Sequence, residues 1–173
     1  MAHIHAQPGG HDVTVSAYIL RRCPDGQMRV LLHMHKNLHR LMQPGGHIET
    51  DENPWAAMIH ELREETGYDI GQLSVLQTGP RVRELSEAVL HPTPLMLTTH
   101  RYSALDHYHD DLSFAFVTNE LPTHGPIDGE SQDVRWLTAD EIREVPVGQI
   151  FENCREFVLF LFANLDGFEI VSV

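Results

Sequence analysis

The chain has 173 residues, a length that builds a single hydrophobic core. Its 42% hydrophobic and 21% charged residues exclude disordered and collagen-like classes. A balance of 12 Lys and Arg against 25 Asp and Glu gives −13, which repels bulk DNA or RNA, and no Lys/Arg run offsets it.

Residues 1–11 read as a polar lead-in, and 12–173 as one domain. The β-branched and apolar run 13–20 predicts a strand, Pro24-Asp25-Gly26-Gln27 a turn, and 28–34 a second strand, together a hairpin. A His- and Lys-rich loop over 35–43 leads to Pro44-Gly45-Gly46. Asn53-Pro54 then opens a helix, with Asn as N-cap and Pro at the first helical position, where no N–H is needed. Trp55, Met58, Ile59 and Leu62 recur at helical spacing as a buried stripe, and Gly67 ends the helix in a left-handed cap. Further strands are predicted at 73–76, 96–102, 112–117 and 134–137. Thr138 and Glu141 form a capping box that starts a short helix, and 149–165 is the last amphipathic helix, with Phe157, Phe160 and Phe162 assigned to the core. Strands punctuated by helices predict a mixed α/β or α+β sandwich.

The longest apolar stretch, 157–163, is far short of the ~20 residues that cross a bilayer, and no signal pattern opens the chain. The two cysteines, Cys23 and Cys154, read as ordinary buried thiols and are too few for a disulfide framework, so a cytoplasmic protein without a membrane partner is expected. The 13 histidines are unusual, but none has the His-Cys spacing of a structural zinc site.

The informative segment is the helix end His60-Glu61-Leu62-Arg63-Glu64-Glu65-Thr66-Gly67. At about 100° per residue, Glu61, Glu64 and Glu65 share one side of the helix. Three crowded carboxylates repel one another. Either they form a solvated acidic face relieved by Arg63 and His60, or they hold a hard divalent cation such as Mg²⁺ or Mn²⁺. The Gly45-Gly46 turn lets a backbone carbonyl approach the same place.

With their spacing, these residues resemble the Nudix box, Gly-x5-Glu-x7-Arg-Glu-apolar-x-Glu-Glu-x-Gly-apolar. Here it runs Gly46, Glu52, His60, Glu61, Leu62, Glu64, Glu65, Gly67, Tyr68, and every specified position but His60 fits. The segment 133–142 also looks like the strand and helix near the end of many Nudix domains, so the resemblance spans roughly 12–165. It implies an α+β fold, an α/β/α sandwich on a mixed sheet, and a pyrophosphohydrolase cleaving a nucleoside diphosphate linked to a moiety X. It further implies Mg²⁺ or Mn²⁺ held by Glu61, Glu65, Glu64 and the carbonyl of Gly46 or Gly45. Glu64 is a third ligand or the base activating water, and Glu52 and His60 support these groups from outside. His60 stands where the pattern has Arg. It is shorter and mostly neutral at pH 7, so its orientation of the glutamates is weaker, or tuned by pH.

The other candidates sit outside the box. His107 and His109 alternate onto one strand face, where they contact substrate or bind a transition metal with Asp110 or Asp111. His33, His35, His39 and His47 surround the Gly-Gly loop, and Glu130 precedes Trp136 where a further Nudix glutamate often stands. The expected partner is a small nucleotide-type substrate, with a homodimer left open. The alternative function is a catalytically weak Nudix domain acting as a nucleotide-binding or regulatory module. An isopentenyl-diphosphate-type isomerase fits poorly because Cys23 falls in the hairpin turn, and a His-rich metal-binding protein is the remaining rival.

Overall fold

In the computed structural model, which describes residues 8–102 and 106–173, strand β1 (His11–Arg22) is the hub of a nine-stranded mixed sheet. Residues 1–7 of the expected lead-in lie outside the described residues, and His11 already belongs to β1. Strand β2 (Met28–Met34) returns antiparallel through the predicted hairpin, with Leu20 opposite Val30. Strands β3 (Leu41–Met42) and β4 (Gly45–His47) pair with β2 and β1. On the other side of β1, β7 (His107–Thr118) runs parallel to it from His11↔Tyr108 to Arg21↔Thr118. Strand β6 (Met96–Tyr102) is antiparallel to β7, while β5 (Ser74–Gln77) bridges β7 and β9 (Glu169–Ser172), and β8 (Val134–Leu137) pairs with β2.

Side chains alternate across a strand, so β1 feeds two cores. Val15, Ala17 and Ile19 pack with Phe114, Phe116, Met58 and Leu62 beneath helix α1 (Pro54–Thr66). Tyr18 and Leu20 pack with Ala115, Val158 and Leu161 beneath helices α2 (Ala139–Glu144) and α3 (Glu152–Asn164). The result is helix, sheet, helix. It matches the expected α/β/α sandwich.

Helix α1 has the predicted ends. The Asn53 side chain accepts from the N–H groups of Trp55 and Ala56 at 3.0 Å, and Gly67 closes the helix at φ 74°. Departures from expectation occur where the pairing partner is distant. The 35–43 loop contains β3, and β7 begins five positions before the predicted 112 because parallel pairing with β1 extends it over polar residues. Phe160 is exposed rather than core and stacks on Phe157 at 6.0 Å. Cys23 and Cys154 are buried free thiols. Among the described residues no helix is long and apolar enough to cross a membrane.

Candidate active site

Helix α1 lies along β4, so its last two turns face the Gly45-Gly46 strand. Glu61 and Glu65, four apart on the helix, are 6% and 5% exposed. The Gly45 N–H donates to Glu65 Oε2 at 2.7 Å. A Cβ at Gly46 would overlap the Glu61 carboxylate, so only glycine permits this approach. The segment between β7 and β8 crosses the helix end, where the Ile127 N–H donates to the Glu64 carbonyl at 2.9 Å. This brings the Glu130 carboxyl close enough to Glu65 and Glu61 to raise the pKa of both.

The expected single face of three carboxylates divides. Glu64, three rather than four residues from Glu61, keeps a side chain 38% exposed and is paired with His60. His60 Nε2 lies 3.0 Å from Glu64 Oε1, and Nδ1 lies 3.1 Å from Glu52 Oε1. One imidazole thus bridges the box loop and the helix. Partial burial pulls the His60 pKa down, but the hydrogen bond and charge of Glu64, then Glu52 and Glu61, outweigh it and leave it raised.

Burial governs the two inner carboxyls. Glu65 is pushed up to about 9 by desolvation, against the Gly45 N–H and reinforced by Glu61 and Glu130. Desolvation likewise pushes Glu61 to about 7, with His60 opposing and Glu64, Glu130 and Glu52 adding to the rise. His33 stands 3.9 Å from Glu65, too far to hydrogen-bond, and burial lowers its pKa to about 4. A neutral imidazole does not neutralise this pocket. All the oxygens present suit a hard divalent cation, which would replace the missing positive charge.

His47, His107 and His109 are not part of this group. Gly46 pairs with Val15 on the α1 side, so His47, one residue on, pairs with Thr14 and points to the opposite face. There it meets His107, His109 and Asp12. The expected companions of the two β7 histidines are engaged elsewhere. Asp110 bonds Thr99 at 2.6 Å and His11 at 3.0 Å, while Asp111 accepts from Thr14, Ser16 and Ser113 at 2.7–2.8 Å. His35 caps a turn through the Asn37 and Leu38 N–H groups. Sequence reasoning missed Asp12. The signal was the alternation of polar Asp12, Thr14 and Ser16 against apolar Val13, Val15 and Ala17.

The NUDIX domain family model matches residues 10–158. The chain belongs to the Nudix family. A Nudix-family hydrolase from Clostridium perfringens superposes with a TM-score of 0.71 at 26% identity, covering 89% of this chain and 97% of that one. A C. elegans Ap4A hydrolase superposes at 0.62 with 20% identity, covering 90% and 99%. The NUDIX domain of Shewanella oneidensis NrtR, crystallised with ADP ribose, gives 0.64 at 16% identity, covering 90% and 89%. No curated protein matches the chain in sequence. The family match and the Clostridium perfringens hydrolase make this Nudix chain a hydrolase of the pyrophosphatase type.

Proposed function

We propose that this Nudix chain hydrolyses the diphosphate linkage of a nucleoside diphosphate joined to a moiety X, with Mg²⁺ or Mn²⁺ as cofactor. The observation that carries the reading is the buried pair Glu61 and Glu65 with the partly buried Glu130 beside them, the two inner carboxyls rising to about 7 and about 9. Carboxylates do not gather out of water without a cation unless they are protonated. Glu61 and Glu65 would hold the ion, with the Gly45 or Gly46 carbonyl completing the set and Glu130 as an auxiliary ligand. When bound, the ion neutralises the diphosphate oxygens and acidifies a bound water.

The chain's own residues then divide the work. Glu64 is the half-exposed carboxylate, oriented by His60 at 3.0 Å. It accepts the proton as water oxygen attacks phosphorus, or serves as a third ligand. The bridging phosphorus–oxygen bond breaks and the leaving phosphate departs as an anion. Glu52 holds His60 from the other side at 3.1 Å. A shallow groove lined by Ala56, Ile59, His60, Arg63, Glu64 and Ile127 runs beside His60 and Glu64, where substrate would enter. A net charge of −13 disfavours a bulk nucleic acid and leaves small nucleotides, taken in with their metal, as the substrate class.

The test is a panel of ADP-ribose, dinucleoside polyphosphates, nucleotide sugars and nucleoside triphosphates with Mg²⁺ or Mn²⁺, read by released phosphate products. The expected result is metal-dependent hydrolysis that EDTA abolishes and that Glu61→Gln or Glu65→Gln lowers by orders of magnitude without unfolding. Hydrolysis surviving exhaustive chelation would overturn the mechanism. Tight nucleotide binding without turnover would favour a regulatory module.

A further inference from the structure

On the sheet face opposite α1, four groups from three strands converge: Asp12 of β1, His47 of β4, and His107 and His109 of β7. The registers force this meeting. Asp12 lies opposite His109, and Thr14, two residues on, lies opposite both Asp111 and His47. The same strand faces turn apolar further along, at Tyr18 and Leu20, so the polar end is a distinct feature of β1.

We propose that Asp12, His47, His107 and His109 form a second metal site, for a divalent transition ion of the zinc class, that staples β1, β4 and β7 together. One donor atom from each of the four lies within 4.8 Å of the others. His107 Nε2 and His109 Nε2 are 3.0 Å apart, and Asp12 Oδ2 is 3.6 Å from His107 Nε2 and 3.9 Å from His47 Nε2. A tetrahedral ion with bonds of about 2.0–2.1 Å sets its ligands about 3.3 Å apart, so sub-ångström ring shifts close the site. Three imidazoles and one carboxylate select zinc-type ions over Mg²⁺, which prefers all-oxygen shells. The box carboxylates on the other face make the opposite selection.

The surroundings suit a fixed rather than a reactive ion. Asp12 is 2% and His107 0% exposed, and four protein ligands leave no position for water or substrate. Tyr102 stacks on His109 at 5.1 Å and 12°, and His100 packs edge-on at 5.2 Å, which restrains the imidazole plane. Asp111 is not a competing ligand, because three hydroxyls occupy it. Through His47 the ion would anchor the strand that carries Gly45 and Gly46. The proposal does not depend on the hydrolase reading.

The experiment uses the full chain carrying Glu61→Gln and Glu65→Gln, so that the box cannot take the added ion. Zn²⁺ and Co²⁺ are titrated in excess Mg²⁺, with zinc stoichiometry, the visible band of tetrahedral cobalt and Tm as readouts. One ion per chain, the cobalt band and a raised Tm are expected. Adding Asp12→Asn or His109→Gln should weaken zinc binding by roughly 100-fold or more, since even changes outside a ligand set cost about 10–100-fold. Asp12→Asn keeps the shape of the side chain, so it decides the matter if His109→Gln fails to fold. No stoichiometric zinc in the parent, or zinc retained equally by Asp12→Asn, would overturn the site.

Discussion

Two adjacent glycines should fail in opposite ways when given a methyl group. At Gly46, the added Cβ would overlap Glu61 Oε1 and lie 2.7 Å from its Cδ and 3.1 Å from Oε2. Relaxed contacts need about 3.5 Å, so the carboxylate must retreat by roughly 1–1.5 Å. A displacement of that size at a reacting centre costs about 100-fold in rate, or about 2.7 kcal/mol of transition-state stabilisation. The obstacle is the far end of a flexible side chain, so the fold gives way easily and stability falls by no more than about 1–3 kcal/mol. At Gly45 the Cβ would instead strike the β1 backbone, overlapping the Val15 carbonyl and lying 2.9 Å from Ser16 Cα, and φ is 149°. Backbone cannot swing aside, so Gly45→Ala should unfold or strongly destabilise the protein. The assay pairs kcat/KM for the best panel substrate at saturating Mg²⁺ with urea unfolding of each variant. If Gly46→Ala keeps wild-type kcat/KM, Glu61 does not act from the position seen here.

Three further outcomes follow from the same geometry. The folded Glu65 carboxyl lies at about 9 against an ordinary 4.5, so folded chains hold a proton that unfolded chains release. Metal-free stability should therefore fall as pH rises through that window, and melts in EDTA at pH 6 and pH 9 should show Glu65→Gln gaining more on wild type at the higher pH; parallel curves would refute the shift. The raised His60 pKa means its pairing is present below an ordinary pKa of ~6.5 and lost as pH climbs through the folded value. Since Arg stays charged throughout, His60→Arg should flatten the pH–rate profile at saturating metal, and identical profiles would show that His60 does not orient Glu64. Removing the two-bond cap with Asn53→Ala should cost about 1 kcal/mol by urea unfolding, with no change in kcat/KM beyond that loss.

What the sequence made legible was local in origin. Both ends of α1 are marked by residues whose chemistry acts within a turn, Asn53-Pro54 and Gly67, and the box spacing lies largely within that helix. Strands β3 and β4 escaped notice because they are two and three residues long and exist only where β2 and β1 offer partners. The start of β7 fell outside the predicted 112–117 strand for the same reason. Its histidines face the polar end of β1, a strand about a hundred positions away. Helical spacing also cannot say which of Glu61, Glu64 and Glu65 is buried. That is decided by β4 on one side and by the segment carrying Ile127 and Glu130 on the other.

The long parallel pairing of β1 with β7 also sets the order in which the molecule can assemble. Thr14 and Asp111 are 97 residues apart in sequence, so this contact must wait for a large loop to close, whereas α1 can form early from its own caps. Until β8 and the segment before it arrive, Glu61 and Glu65 remain hydrated and ordinarily ionised. Their desolvation is complete only once the segment carrying Ile127 and Glu130 has docked on α1. A cation that rewards only the finished pocket would then act on the exit from the native state rather than on the approach to it. Added Mg²⁺ would lengthen the lifetime of the folded chain while leaving the refolding rate almost untouched.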